Sequence, residues 1–173
     1  MQFYSGFSLK NDEVFFEKLI KEDIFSIYGF SYGAIKAYLH VKKNLQEGKR
    51  VDKLILFSPA FFQTKDKKFK RLQYMAYKKN KEQYLQNFIH VCFSPYPVKE
   101  IKYKNSSIEE LEELLEYIWD MNELKSLREK GLKIEVYLGG QDSIIDVDGA
   151  YSFFTQVADV TLFKEANHFL QGA

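Results

Sequence analysis

Hydrophobic positions along this chain follow two alternating periods. Short runs rich in β-branched and aromatic residues at 2–4, 24–28, 53–57, 133–138 and 160–163 read as strands. Between the early runs the apolar residues fall at helical spacing. Val14, Phe15, Lys18 and Leu19 outline a first helix, and Ala34, Ala37, Tyr38, Val41 and Leu45 a second, with lysines on its opposite face. Such alternation predicts an α/β fold, a mostly parallel sheet of about five strands with helices on both faces. The rhythm breaks after Ser58-Pro59, where 60–130 reads as helices and loops without a convincing strand. Residues 1–59 and 131–173 are therefore expected to form the core, and 60–130 a helical cap inserted over the carboxyl edge of the sheet. Within that insertion Ser107 and Glu110 have the spacing of a capping box, after which Ile108, Leu111, Leu114, Leu115 and Ile118 trace one apolar face. Gly131 suits the residue just past the last cap helix.

Composition narrows the function classes. With 173 residues, 46% of them hydrophobic and 17% aromatic, the chain has core material for one domain. A formal net charge of +1 gives no global attraction to nucleic acid. The opening residues meet Lys10, Asp12 and Glu13 before any long apolar stretch, so neither a signal peptide nor a membrane span is expected, and the reading is cytoplasmic. Cys92 is the single cysteine, which excludes an internal disulfide and argues for a small buried hydrophobe.

One motif brings chemistry. Gly29-Phe30-Ser31-Tyr32-Gly33 lies where a strand gives way to a helix, the setting of a Gly-x-Ser-x-Gly nucleophile elbow. The turn would project the Ser31 hydroxyl above the sheet and aim Tyr32 N–H at the oxyanion formed by attack on an ester carbonyl. A serine hydroxyl is scarcely ionised at neutral pH, so it needs a histidine base, which in turn needs a carboxylate. Groups that contact ligand in open α/β sheets sit just beyond the carboxyl ends of strands. Asp142 and His168 each follow a strand through a short loop, and the order Ser31, Asp142, His168 is that of α/β-hydrolases. Asp146 and Asp148 compete with Asp142 but also suit a cap for the helix near Val147, while His40 falls in the helix after the elbow, several turns below that edge, and His90 in the cap, where each reads as structural. A second oxyanion donor should come from the loop after the first strand, where Gly6 permits close approach and Phe7 N–H is the preferred group. This chemistry calls for no cofactor and no metal.

Ser5-Gly6-Phe7, the extended elbow Gly29 to Ala37, Leu56-Phe57-Ser58-Pro59 and Asn167-His168 together resemble a small α/β-hydrolase family. The chain is similar to the pimeloyl-[acyl-carrier protein] methyl ester esterases of the BioV type, which act in biotin precursor synthesis. The likeness extends to Lys68-Phe69-Lys70-Arg71-Leu72-Gln73 and to Gly131-Leu132-Lys133-Ile134-Glu135-Val136. It implies a carboxylesterase that removes the methyl group from the distal ester of a pimeloyl chain carried by acyl-carrier protein. Lys65, Lys67, Lys68, Lys70 and Arg71 would then form the docking patch for that acidic partner. Phe61, Phe62, Phe69, Tyr74 and Tyr77 would line an acyl tunnel on this reading, or form plain core, the commoner role of aromatics at helical spacing. A general short-chain carboxylesterase or thioesterase with the same three residues is the alternative.

Overall fold

A computed structural model describes residues 2–173. Five parallel strands form its sheet in the order β1 (Gln2–Tyr4), β3 (Ser26–Phe30), β4 (Lys53–Phe57), β6 (Lys133–Gly139) and β7 (Asp159–Phe163). Register sets Tyr4 beside Gly29, Phe30 beside Phe57, Phe57 beside Tyr137 and Gly139 beside Phe163, so all five strands end along one edge. Alternation along the central strands divides the core. Ile27, Leu54, Leu56, Ile134, Val136 and Leu138 face one side, with α1 (Tyr32–Gln46) and α6 (Val147–Phe154). Tyr28, Ile55 and Phe57 face the other, with Phe16, Ile89, Phe93 and Phe169.

Two elements differ from the sequence pattern for local reasons. The strand expected at 24–28 begins two residues later because Asp23 holds a turn there, accepting Phe25 N–H at 2.9 Å and the Ser26 hydroxyl at 2.7 Å. Ile24 is consequently exposed. The first expected helix is a 3₁₀ turn over Asp12–Phe16, with Val14 facing solvent and Phe16 stacked at 4.5 Å on Phe57. One buried aromatic anchor covers the sheet there, so the crossover from β1 to β3 uses no full amphipathic helix.

Between β4 and β6 lie α2 (Lys67–Lys79), α3 (Lys81–Phe93), α4 (Ile108–Glu116) and α5 (Met121–Glu129). Their starts are fixed by side-chain acceptors. Asp66 caps Phe69 N–H at 2.7 Å, Asn80 caps Gln83 N–H at 3.0 Å, and Ser107 with Glu110 forms a reciprocal capping box. Leu111, Leu114 and Leu115 are buried on α4, whereas Ile118 lies beyond its end and is 70% exposed. Trp119 takes the inward place, its indole N–H donating to Ala60 O at 2.8 Å. Gly131 sits past α5 at φ 94°, in the left-handed region. The same stretch holds a strand the pattern did not show: β5 (Lys102–Tyr103) pairs antiparallel with β2 (Leu9–Lys10). Both residues of β5 are exposed, so no apolar alternation marks it. Among the described residues, no helix is long and apolar enough to cross a membrane.

Candidate active site

Ser31 occupies the junction of β3 and α1 with φ 53° and ψ −117°, a conformation L-residues rarely adopt. Neighbouring bonds hold it there. Ser31 N–H donates to Phe57 O at 2.9 Å, and Ser31 O accepts from Ala34 N–H at 3.0 Å and Ala60 N–H at 3.1 Å. The flanking glycines permit this turn sterically, because a Cβ on Gly29 would collide with the Gly33 carbonyl and one on Gly33 with the Tyr4 carbonyl. The strain therefore belongs to the residue whose hydroxyl is presented.

Asp142 follows β6 through a turn in which its N–H donates to Gly139 O at 3.2 Å. One carboxylate oxygen, Oδ1, accepts Ile144 N–H at 2.8 Å and Ile145 N–H at 3.3 Å. The other, Oδ2, lies 2.6 Å from His168 Nδ1. The opposite ring nitrogen, Nε2, lies 3.0 Å from Ser31 Oγ. Residues separated by 137 positions thus form one hydrogen-bonded chain at the carboxyl edge of the sheet. His168 and the Asp142 carboxylate are fully buried, and Ser31 is 2% exposed. Burial withdraws competing water from these bonds and strengthens each of them.

The loop bearing His168 is itself fixed. Asn167, fully buried, accepts Phe169 N–H and Gln171 N–H, each at 3.0 Å, and donates to Phe93 O at 2.7 Å. Gln141 N–H donates to Ala166 O at 2.8 Å, tying the acid loop to the histidine loop. No apolar period marks Asn167, although its place beside the histidine was a usable signal.

The other residues singled out fall into place around this centre. Asp146 caps α6 through Gly149 N–H at 3.1 Å and accepts the Thr64 hydroxyl at 2.6 Å, so it does not reach the histidine. His40 pairs with Tyr4 OH at 2.8 Å, and His90 is exposed on α3. Cys92 is buried, and burial pushes its thiol well above the ordinary range. Phe7 N–H and Tyr32 N–H donate to no protein acceptor among the described residues, and both side chains are buried in edge-to-face contact at 6.2 Å. The Tyr32 hydroxyl donates to Glu113 Oε2 at 2.5 Å, joining the elbow helix to α4, and burial with this bond raises the phenol pKa.

The loop Gly6–Leu9 is a β-turn closed by Leu9 N–H to Gly6 O at 3.2 Å, with Ser8 at φ 60°. That left-handed position normally selects Gly or Asn. Ser8 holds it through bonds to the insertion: Lys104 N–H donates to Ser8 O at 3.0 Å, and the Ser8 and Ser106 hydroxyls bond each other.

Beside the centre lies a cavity of about 360 Å³ lined by Phe7, Phe62, Phe69, Phe88, Leu111 and Ile144, with Lys65 among its polar members. Of the aromatic residues expected in a tunnel, Phe62 and Phe69 line it. Phe61 instead packs on Phe153 and Phe154, and Tyr74 donates to Glu116 at 2.8 Å. Of the five basic residues singled out on the insertion, Lys67, Lys68 and Arg71 are exposed. Lys70 is engaged with Glu116 at 2.9 Å, its side chain 12% exposed, and Lys65 lies 5.5 Å from the Phe69 ring.

No family model matches the chain, and no curated protein matches it. Solved structures do. An esterase, EaEST, from Exiguobacterium antarcticum superposes with a TM-score of 0.59 at 16% identity over 91% of this chain and 63% of that one. Naproxen esterase from Bacillus subtilis gives 0.54 at 17% identity, over 84% and 53%. BioG from Haemophilus influenzae gives 0.54 at 11% identity, over 98% of this chain and 88% of that one. The chain thus spans between half and two-thirds of the length of the first two and most of the third. The sheet and its helices are those of the α/β-hydrolase fold.

Proposed function

We propose that the chain is a serine carboxylesterase that hydrolyses the methyl ester of pimeloyl-[acyl-carrier protein] methyl ester, giving the free carboxylate and methanol. The observation that carries the hydrolase reading is the bonded run from Ser31 Oγ through His168 to Asp142, at 3.0 and 2.6 Å. His168 Nε2 takes the proton from Ser31 Oγ as that oxygen bonds to the ester carbonyl carbon. The tetrahedral oxyanion is held by Phe7 N–H and Tyr32 N–H. His168 returns the proton to the departing methoxy oxygen, and methanol leaves an acyl-enzyme on Ser31. Water, deprotonated by His168, attacks that ester and restores the serine hydroxyl with release of the carboxylate. Asp142 Oδ2 keeps the Nδ1 proton in place and stabilises the imidazolium in each half-reaction.

The substrate assignment has separate support. The resemblance to BioV-type esterases brings it in, and the fold match to BioG is close to end to end on both chains. The cavity beside Phe7 and Ile144 is apolar over most of its lining, and its 360 Å³ falls among small-ligand pockets of about 300–1,000 Å³. On α2, Lys68, Arg71, Lys78 and Lys79 are exposed around Leu72 and Met75, which are 53% and 55% exposed. An acidic carrier protein with an apolar contact residue matches that face. Lys70 is held by Glu116 and plays the smaller part.

Methanol release from methyl-pimeloyl-carrier tests the assignment. Replacing Lys67, Lys68 and Arg71 with Glu should lower kcat/KM for the carrier substrate roughly tenfold or more at low salt, and added salt should weaken the wild-type reaction in the same direction. A small methyl ester should be unaffected by either change. Equal losses on both substrates would leave the general short-chain esterase reading and remove the carrier.

A further inference from the structure

Asp12, Asp142 and His168 are the buried members of the charged residue types among the described residues, and the last two pair with each other. Asp12 has no such partner. Its Oδ2 accepts Gly6 N–H at 2.9 Å, while Oδ1, equally buried, has no hydrogen-bond partner among the described residues. Burial pushes its carboxyl above the ordinary carboxylate range. A fully buried carboxylate is a costly way to satisfy the Gly6 amide, since a neutral side chain would do so with less desolvation.

The bond falls on the segment that precedes the Phe7 amide. The peptide from Gly6 to Phe7 is planar and trans, so its C=O and N–H point in opposite directions. Gly6 O is occupied by Leu9 N–H at 3.2 Å, which turns Phe7 N–H the other way. The preceding peptide is fixed through Gly6 N–H by Asp12. Gly6 also presses on Phe30, since a Cβ there would lie 2.9 Å from the Phe30 ring, and Phe30 itself lies 5.0 Å from the His168 ring. The loop is therefore gripped on both sides of one α-carbon, and the stronger grip is charge-assisted.

We propose that Asp12 is a positioning residue for ester hydrolysis, holding the Gly6–Phe7 peptide so that Phe7 N–H meets the oxyanion. This inference rests on the esterase reading of Ser31, His168 and Asp142. Asp12 touches no reacting atom. Its contribution acts on the transition state, because the ground-state carbonyl needs the donor less than the oxyanion does.

The test uses the whole chain with 4-nitrophenyl butyrate as substrate and phenylboronic acid as an analogue of the tetrahedral state. Asp12→Ala and Asp12→Leu remove the acceptor, the second while keeping an apolar shape that folds in a buried site. Each should lower kcat roughly 10- to 100-fold with KM within about twofold, and raise the boronic acid inhibition constant by the same factor. Asp12→Asn keeps an acceptor oxygen and should restore kcat to within about fivefold of wild type. Wild-type turnover with unchanged kcat in Asp12→Ala or Asp12→Leu overturns the proposal, as does a folded Asp12→Asn that remains as slow as either. A wild-type protein that leaves the ester intact overturns the esterase reading beneath it.

Discussion

Asp12 has no apolar period to announce it, yet it bonds the loop that bears one of the proposed oxyanion donors. Asp12 is buried, and its carboxyl is raised in pKa by that burial, against the hydrogen bonds from the Ser5 side chain and the Gly6 amide that favour the ionised form. A carboxyl whose folded-state pKa exceeds its unfolded value binds protons more tightly when folded. Its relative stabilisation is complete below the unfolded pKa, about 3.9, and is lost as pH rises through the folded value. Asp12→Asn removes that titration, so the variant should exceed wild type in thermal midpoint at pH 7, with the difference shrinking as pH approaches about 4. Melting curves across that range check it; a constant difference would show that the carboxyl is not the titrating group. The same residue marks a boundary of sequence reading. Ser31, Asp142 and His168 were legible because chemistry requires those types after strands, and the structure brings all three together. Asp12 bonds a backbone group, where neither spacing nor residue type distinguishes it from an ordinary loop residue, and Asn167 was marked only by its place beside the histidine.

At the scale of elements, the central strand β4 was legible in full because both its faces are buried. Lys53–Phe57 stands where its apolar run places it, because a central strand of a parallel sheet needs a continuous run. Elements held by backbone pairing of exposed residues or by a single aromatic anchor were not legible, as with β5 and the 3₁₀ turn. The insertion is fastened to the elbow helix by polar contacts, Tyr32 to Glu113 at 2.5 Å, Tyr38 to Glu123 at 2.7 Å and Lys36 to Glu110 at 3.2 Å. Trp119, 2% exposed, packs edge-on at 5.2 Å against Phe154 and at 5.5 Å on Tyr38. Trp119→Ala should cost about 3–5 kcal/mol of unfolding free energy, the range for deleting a large buried aromatic side chain. Denaturant unfolding measures this, and a loss below about 1 kcal/mol would mean that the insertion contributes little to the cooperative core.

Taken as a whole, the molecule divides its near-neutral charge unevenly. Lysines and Arg71 crowd α2, acids crowd α4, and only part of each set is paired across the two helices, as in Lys70 with Glu116. The net charge of +1 conceals a basic face with exposed Leu72 and Met75 at its centre, set beside a cavity that adjoins the strand edge. The proposed chemistry nevertheless depends on the convergence at that edge, where loops from β1, β3, β6 and β7 meet because the register aligns their ends. The most direct measurement is labelling of the folded protein with a fluorophosphonate, followed by mass spectrometry of the modified peptide. The account predicts one covalent adduct on Ser31, absent in Ser31→Ala and reduced by about three orders of magnitude or more in rate in His168→Ala. An unlabelled Ser31 in folded protein, or labelling at the wild-type rate in His168→Ala, would contradict it.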